Sequence, residues 1–271
     1  AQIVPLKPGT GYTTPPTVTL SGGGGSGATA VAVKNWVTMT APQADPTRDI
    51  HVTALLVDEH TLDEVQFDLT FSQQGRPFWV WGTGIKPGET TQDFAKDNYY
   101  FSFTRLAASG TITIAGTTHE VTGTTWMDHE YGYFGGSSAD ARVRWLLQDL
   151  QLDNGYSISN AGILTVGYKP EIDVPVDAYA TVQDAEGNLY YVASTITPVG
   201  ELWTSPATGN VYAQQFHVQI PSFQADLTVS VLVQNQEFPI AASPVYEGVA
   251  KPTGTMLGKP VTGDAWIEQA Y

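Results

Sequence analysis

The chain has 271 residues, enough for one large or two modest domains with a substantial buried core. Acidic residues outnumber basic ones 27 to 12, and the resulting net charge of −15 repels phosphate backbones and anionic lipid, which argues against nucleic-acid and membrane-surface partners. No window approaches 18 uninterrupted apolar residues, so no ordinary membrane span is expected, and the lack of cysteine excludes disulfides, thiol nucleophiles, zinc–thiolate sites and iron–sulfur clusters.

Residues 1–34 differ in character from the rest of the chain. Gly9-Thr10-Gly11-Tyr12 and Pro15-Pro16 precede a strand-like Thr17–Leu20, then Gly22–Gly25, Ser26 and Gly27, then Ala28–Val33. A glycine run that cradles phosphate is followed by Lys-Ser/Thr and an opening helix; neither is present here, so the segment reads as a strand pair or an appended arm. The first residue is Ala rather than Met. That fits removal of a signal peptide and, with the acid excess and scarce lysine, a periplasmic or extracellular setting.

From residue 35 onward the apolar residues come in short runs. Asp49–Val57, Glu64–Phe71, Thr111–Ile114, His119–Met127, Ser157–Val166 and Phe216–Ile220 are rich in Val, Ile, Thr, Tyr and Phe, which suit a pleated, half-buried surface. Turn signals separate them at Ala115-Gly116, Asp153-Asn154-Gly155 and Ala185-Glu186-Gly187-Asn188. Strands at this spacing predict an all-β protein, an antiparallel sandwich or barrel. The best helical stretches, Gln92–Asn98 and Ser137–Ala141, are long enough only for single turns. No internal repeat of a known period stands out, although two barrels of similar size fit the length.

The densest chemistry lies in Thr122-Gly123-Thr124-Thr125-Trp126-Met127-Asp128-His129-Glu130-Tyr131-Gly132-Tyr133, an acid, an imidazole and an acid in succession between aromatics. Successive strand side chains point to opposite faces, so Trp126, Asp128 and Glu130 share one face and Met127 and His129 take the other. An apolar wall beside Asp128 would lift its pKa and suit it to proton donation. The same pattern also reads as a solvated loop start, or as an ion pair that fixes a turn. Metal binding finds no support, because three adjacent residues do not converge on one ion and no His-x-x-x-His or Asp-x-Asp-x-Asp ladder accompanies them.

Other motifs are weaker. There is no Gly-x-Ser-x-Gly elbow. His51, His60, His119 and His217 are scattered singly, as surface or satisfied core residues. Trp79 and Trp81 would face one side of a strand, as core or pocket lining rather than a platform for sugars. Glycosidase-like carboxylate pairs cannot be picked out, because the acids are spread through the chain.

From about residue 36 to the end, the order of motifs resembles the hydroxyneurosporene synthase (carotenoid 1,2-hydratase) family of tandem lipocalin-like proteins. That wider group includes kievitone hydratase and several natural-product Diels–Alderases. The matching stretches are Asn98–Leu106, Gly110-Thr111-Ile112, Val121–Glu130, Trp145–Gly155, Trp203–Gly209, Tyr246-Glu247-Gly248 and Gly263–Glu268. The resemblance implies two consecutive calycin-type barrels, over residues 35–168 and 169–271, with a ligand cavity in or beside the first. It also implies that Asp128, in a Trp-x-Asp motif, is the proton donor. The expected catalytic groups are therefore Asp128, His129 and Glu130, and the expected substrate contacts are Trp126, Tyr131, Trp145, Gln148 and Tyr100.

The expected chemistry is cofactor-free hydration or dehydration of a hydrophobic isoprenoid- or polyketide-like molecule by a monomer or homodimer. An unperturbed Asp, pKa ~3.9, is only about 0.1% protonated at pH 7. Raising it to near 7 requires about 4 kcal/mol of penalty on the charged form, which burial can supply. Asp128 is accordingly expected to be buried. Two other classes remain open at this level: a pericyclase that works by positioning, and a lipocalin-like carrier without catalysis.

Overall fold

The computed structural model describes residues 17–19, 35–58, 61–89, 93, 95–133, 143–238 and 244–270. Most of the 1–34 segment, the Ser137–Ala141 stretch and His60 lie outside the described residues. Thr17–Thr19 belong to no strand, and Ala95–Lys96 form a turn rather than a helix.

The described residues fall into two compact units, one drawn from Ala1–Gln73 and Leu106–Thr125, the other from Gln74–Arg105 and Trp126–Tyr271. In the first, β1 (Trp36–Thr40), β2 (Ile50–Val57), β3 (Glu64–Gln73) and the later part of β5 (Asn98–Ile114) pair in that order, antiparallel throughout. β6 (Thr117–Gly132) pairs with β5 after the Ala115-Gly116 turn. Alternation gives this sheet an apolar side, with Val52, Ala54, Val65, Phe67, Leu69 and Ile112, and a polar side, with Thr53, Gln66, Asp68, Thr70 and Thr111.

The second unit contains β4 (Phe78–Trp79), which pairs with the start of β5, and a closed barrel. The barrel strands are β7 (Arg144–Leu152), β8 (Ser157–Leu164), β9 (Val176–Gln183), β10 (Leu189–Thr204), β11 (Val211–Ile220), β12 (Ala225–Val231), β14 (Val245–Met256) and β15 (Lys259–Ala270). They run in the order β12-β11-β10-β9-β8-β7-β15-β14, and the β12–β14 pairing closes the ring; β13 (Glu237–Phe238) attaches to β14. Leu146, Leu150, Ile158, Ala180, Ile196 and Leu227 fill the interior, each at most 1% exposed. The all-β expectation therefore holds, as a closed eight-stranded antiparallel barrel plus a second sheet. β7 and β8, which a division at residue 168 would assign to the first barrel, are strands of this second one. Among the described residues no helix is long and apolar enough to cross a membrane.

The two halves repeat one layout, which the sequence alone did not reveal. β1-β2-β3-β5-β6 corresponds to β10-β11-β12-β14-β15 in chain order and pairing. His51 Nε2 meets Asp68 Oδ1 at 2.7 Å, and His217 Nε2 meets Asp226 Oδ1 at 3.0 Å. Leu69 lies opposite Gly110 and Leu227 opposite Gly254. Both glycines have positive φ, 143° and 154°, and a Cβ on either would come within 2.1 Å of the Asp68 or Asp226 carbonyl oxygen. Val121-Thr122-Gly123 and Trp126-Met127-Asp128 recur as Val261-Thr262-Gly263 and Trp266-Ile267-Glu268. The spacing between counterparts changes along the chain because the loops differ in length, so no fixed period exists to be found.

One acid fixes a turn of the barrel. Glu237 accepts hydrogen bonds from Ser205 Oγ, Thr208 Oγ1 and Tyr212 Oη, which pins the Ser205–Asn210 turn of the Trp203–Gly209 motif. Burial opposes its charge, but these donors outweigh burial and hold the carboxyl below its ordinary range. The folded pKa is thus depressed, and the stabilisation exists above the unfolded pKa and is lost as pH falls through the folded one. Glu237→Gln should cost about 1–3 kcal/mol in urea unfolding at pH 7, and the gap from the parent should shrink near pH 3. Gly254→Ala should destabilise by about 2–4 kcal/mol, whereas Gly123→Ala, whose Cβ would meet nothing within 4 Å, should stay within about 1 kcal/mol by the same measurement.

Candidate functional site

The acid-rich segment of β6 folds against the beginning of β5 with the alternation its sequence predicts. Trp126 Nε1 donates to Asp128 Oδ1 at 2.6 Å, and Ser102 Oγ of β5 donates to the same oxygen at 2.5 Å. The Tyr100 phenol also interacts with Asp128, and the Asn98 side chain with Glu130. Met127 and His129 take the other side. There the His129 ring lies 5.1 Å from Phe101 and 5.2 Å from Tyr131, and Tyr131 stacks on Tyr99 at 5.4 Å. His129 and Tyr131 therefore belong to an aromatic stack on the far side of the strand, while Trp126, Tyr100, Glu130 and Asp128 come together.

Asp128 is exposed, which corrects the expectation of burial. The indole beside it acts as a hydrogen-bond donor to the carboxylate rather than as a merely apolar wall. The buried acid is its neighbour. Closed-barrel alternation along β7 points Leu146, Gln148 and Leu150 inward and Trp145 and Asp149 outward. Gln148, expected to touch substrate, is 1% exposed and faces the barrel interior instead. Asp149 is 3% exposed, its Oδ1 has no hydrogen-bond partner among the described residues, and Asp128 and Ser159 both act on its carboxyl.

Burial is the main cause that pushes the Asp149 carboxyl well above the ordinary range; the Asp128 charge adds to it, the Ser159 hydrogen bond opposes it, and Glu268 adds further. Glu268 of β15 is pushed up to about 7, first by burial, against the hydrogen bond that Trp145 Nε1 donates to its Oε2 at 2.9 Å. Burial also raises Glu130, although its side chain reaches solvent, and the Asn98 hydrogen bond and the Lys86 charge oppose the rise. The Tyr100 phenol is driven far above its usual value by burial, then by the charges of Asp149 and Asp128. Burial thus disfavours the charged forms of Asp149 and Glu268, and two indoles and a phenol flank them, an arrangement suited to moving protons.

Sequence reasoning missed Asp149, Glu268 and Ser102. Asp149 follows Gln148 directly, and alternation from the apolar Leu146 and Leu150 would have selected it. Glu268 is the repeat counterpart of Asp128 and became visible only with the duplication. Trp79 and Trp81 do not share a strand face. Trp81 sits at φ 61° in a 3-10 turn over Val80–Gly82, its ring 5.7 Å from Tyr100, while Trp79 packs on Phe101 at 5.9 Å. Among the described residues no group of His, Asp or Glu is placed to hold a metal ion. A separate groove of about 340 Å³ in the first unit is lined by Trp36, Leu55, Gln66, Asp68 and Thr111 and holds none of the expected site residues.

Two solved structures share the fold. A crystal structure of an AttH protein from Nitrosomonas europaea aligns with a TM-score of 0.62 at 21% identity, covering 80% of this chain and 64% of that one. Kievitone hydratase from Nectria haematococca aligns with a TM-score of 0.64 at 18% identity, covering 90% of this chain and 70% of that one. This chain thus spans just under two thirds of the Nitrosomonas protein's length. No curated protein sequence matches it. Residues 19–270, which include every residue of the carboxyl cluster, match the AttH-like family, and to that family the chain belongs.

Proposed function

We propose that this protein is a hydratase-like enzyme that adds water to, or removes it from, a hydrophobic small molecule of isoprenoid or polyketide type, with Asp128 as the group that moves the proton. The observation that carries the reading is the seat of that carboxyl: Ser102 Oγ and Trp126 Nε1 both donate to its Oδ1 from fixed strands, and Tyr100 and buried Asp149 interact with it. Such a group is aimed and accessible, and general acid–base transfer needs geometry before it needs acid strength. The fold shared with kievitone hydratase supports the same reading.

Protonating an alkene carbon creates a cationic centre, which the faces of Trp126 and Tyr100 stabilise. Water then adds, and Glu130, on the same side of β6, takes the proton that the water releases. His129 is on the opposite side and has no part in this scheme. No step calls for a cofactor.

The test is incubation with a panel of unsaturated and hydroxylated terpenoids and polyketides in oxygen-18 water, followed by mass spectrometry. A product that gains one labelled water is expected. Asp128→Asn should slow it by about 10²–10⁴-fold while keeping the parent's circular dichroism and melting temperature. Undiminished hydration in that variant would rule out the acid role, and conversion to a product without label would leave a pericyclase. Binding without chemical change would leave a carrier.

A further inference from the structure

We propose that the groove on the polar side of the first sheet binds a neutral sugar ring, stacked on Trp36 and hydrogen-bonded by Asp68, Gln66 and the threonines beside them. Residues directly opposite one another in an antiparallel sheet share a face. One row across the strands runs Trp36, Leu55, Gln66 and Thr113, and the next runs Thr53, Asp68 and Thr111. Together they line a groove of about 340 Å³, within the range of about 300–1,000 Å³ usual for small-molecule sites. The Trp36 side of the groove is an indole on a residue 38% exposed. The Asp68 side chain is 68% exposed; His51 Nε2 holds its Oδ1 at 2.7 Å, which leaves the second oxygen for a guest.

The lining selects the class of guest. An anion is repelled by Asp68 and by the net charge of −15, and the described lining carries no lysine or arginine. A wholly apolar guest would strip water from Asp68 and Gln66 and return no hydrogen bond. A pyranose meets both demands, because its C–H face lies on the negative face of an indole while its hydroxyls pair with the carboxylate, amide and threonines. The second barrel supplies a comparison within the same chain. Its His217–Asp226 pair matches His51–Asp68, and Thr255 lies opposite Asp226 as Thr111 lies opposite Asp68. Counted along the strands from these residues, Ala193 stands where β1 has Trp36, and Gln219 where β2 has Thr53. Gln219 Nε2 reaches Asp226 Oδ2 at 3.4 Å and so occupies the second oxygen. The His–Asp pair is therefore common framework, whereas the exposed indole and the uncovered carboxylate oxygen distinguish the first unit.

The test is titration of the full-length chain with short neutral gluco-, xylo-, manno- and galacto-oligosaccharides, followed through the indole N–H resonances in nitrogen-15 NMR. Tetramethylammonium and a heparin disaccharide serve as the cationic and anionic probes. At least one neutral series should shift the Trp36 indole resonance saturably, and the two charged probes should not. Trp36→Ala should weaken that binding by about 10-fold or more. Thr53→Gln, which installs the side chain found at the equivalent place in the second barrel, should do the same, and it keeps the test decisive if Trp36→Ala disturbs the edge strand. No saturable shift with any sugar, saturation by a charged probe instead, or sugar binding indifferent to Thr53→Gln in a folded variant overturns the proposal. The readout is binding at the first unit, so its outcome is independent of the hydratase reading.

Discussion

The β12–β14 pairing joins the two ends of an eight-stranded sheet, and a closed sheet has only an inside and an outside. Every side chain of β7 and β15 is thereby assigned by parity. Leu146, Leu150 and Ile267 go to the core, and Gln148 and Gln269 go with them. Trp145, Asp149 and Glu268 must go outward. A slip of one residue in either strand would exchange the two sets. The carboxyl cluster therefore exists because the barrel is closed and in register, which makes it a consequence of packing before it is a matter of chemistry. Gly254 matters for the same reason, since the closing strands approach so nearly there that a Cβ would strike the Asp226 carbonyl.

Placing an acid outside a barrel does not by itself make it reactive. Asp149 differs from the surface acids of the chain in being covered, with Asp128 as its neighbour and no cation against it among the described residues. Compare Asp226, where the hydrogen bond to His217 is the largest influence and holds the carboxyl low. The two aspartates have the same covalent chemistry and opposite tendencies, and the difference is one partner and one covering layer. Trp145 has a similar effect on Glu268, since its indole N–H opposes, without cancelling, the push that burial exerts.

Periodicity alone made much of this legible. The alternation that puts Trp126, Asp128 and Glu130 on one side and His129 on the other is a property of any strand, and it held at each of these residues. The turns at Ala115-Gly116 and Asp153-Asn154-Gly155 carry left-handed glycines where short hairpins need them, with φ of 80° at Gly116 and 90° at Gly155. Exposure was not legible, because whether Asp128 is covered depends on residues far away in the chain. Gln148 was selected over Asp149 because strand parity becomes inside or outside only once barrel closure is known. The duplication escaped notice because its parts are short and separated by unequal loops.

That duplication also shows how little of a site resides in its motif. Trp-x-acid occurs twice, at Trp126-Met127-Asp128 and at Trp266-Ile267-Glu268, and the two copies are wired differently. The first indole donates to the acid of its own motif, at 2.6 Å; the second donates to Glu247 on the neighbouring strand, at 3.3 Å. Glu268 is left to take its hydrogen bond from Trp145 and to rise toward neutrality under burial. One copy thus presents an exposed carboxylate with its donors around it, and the other supplies a covered acid whose charge acts on the same cluster. A duplicated strand pattern has given two acids unlike environments: one at the surface with two donors on its Oδ1, the other half-buried and raised by that burial against a single indole donor.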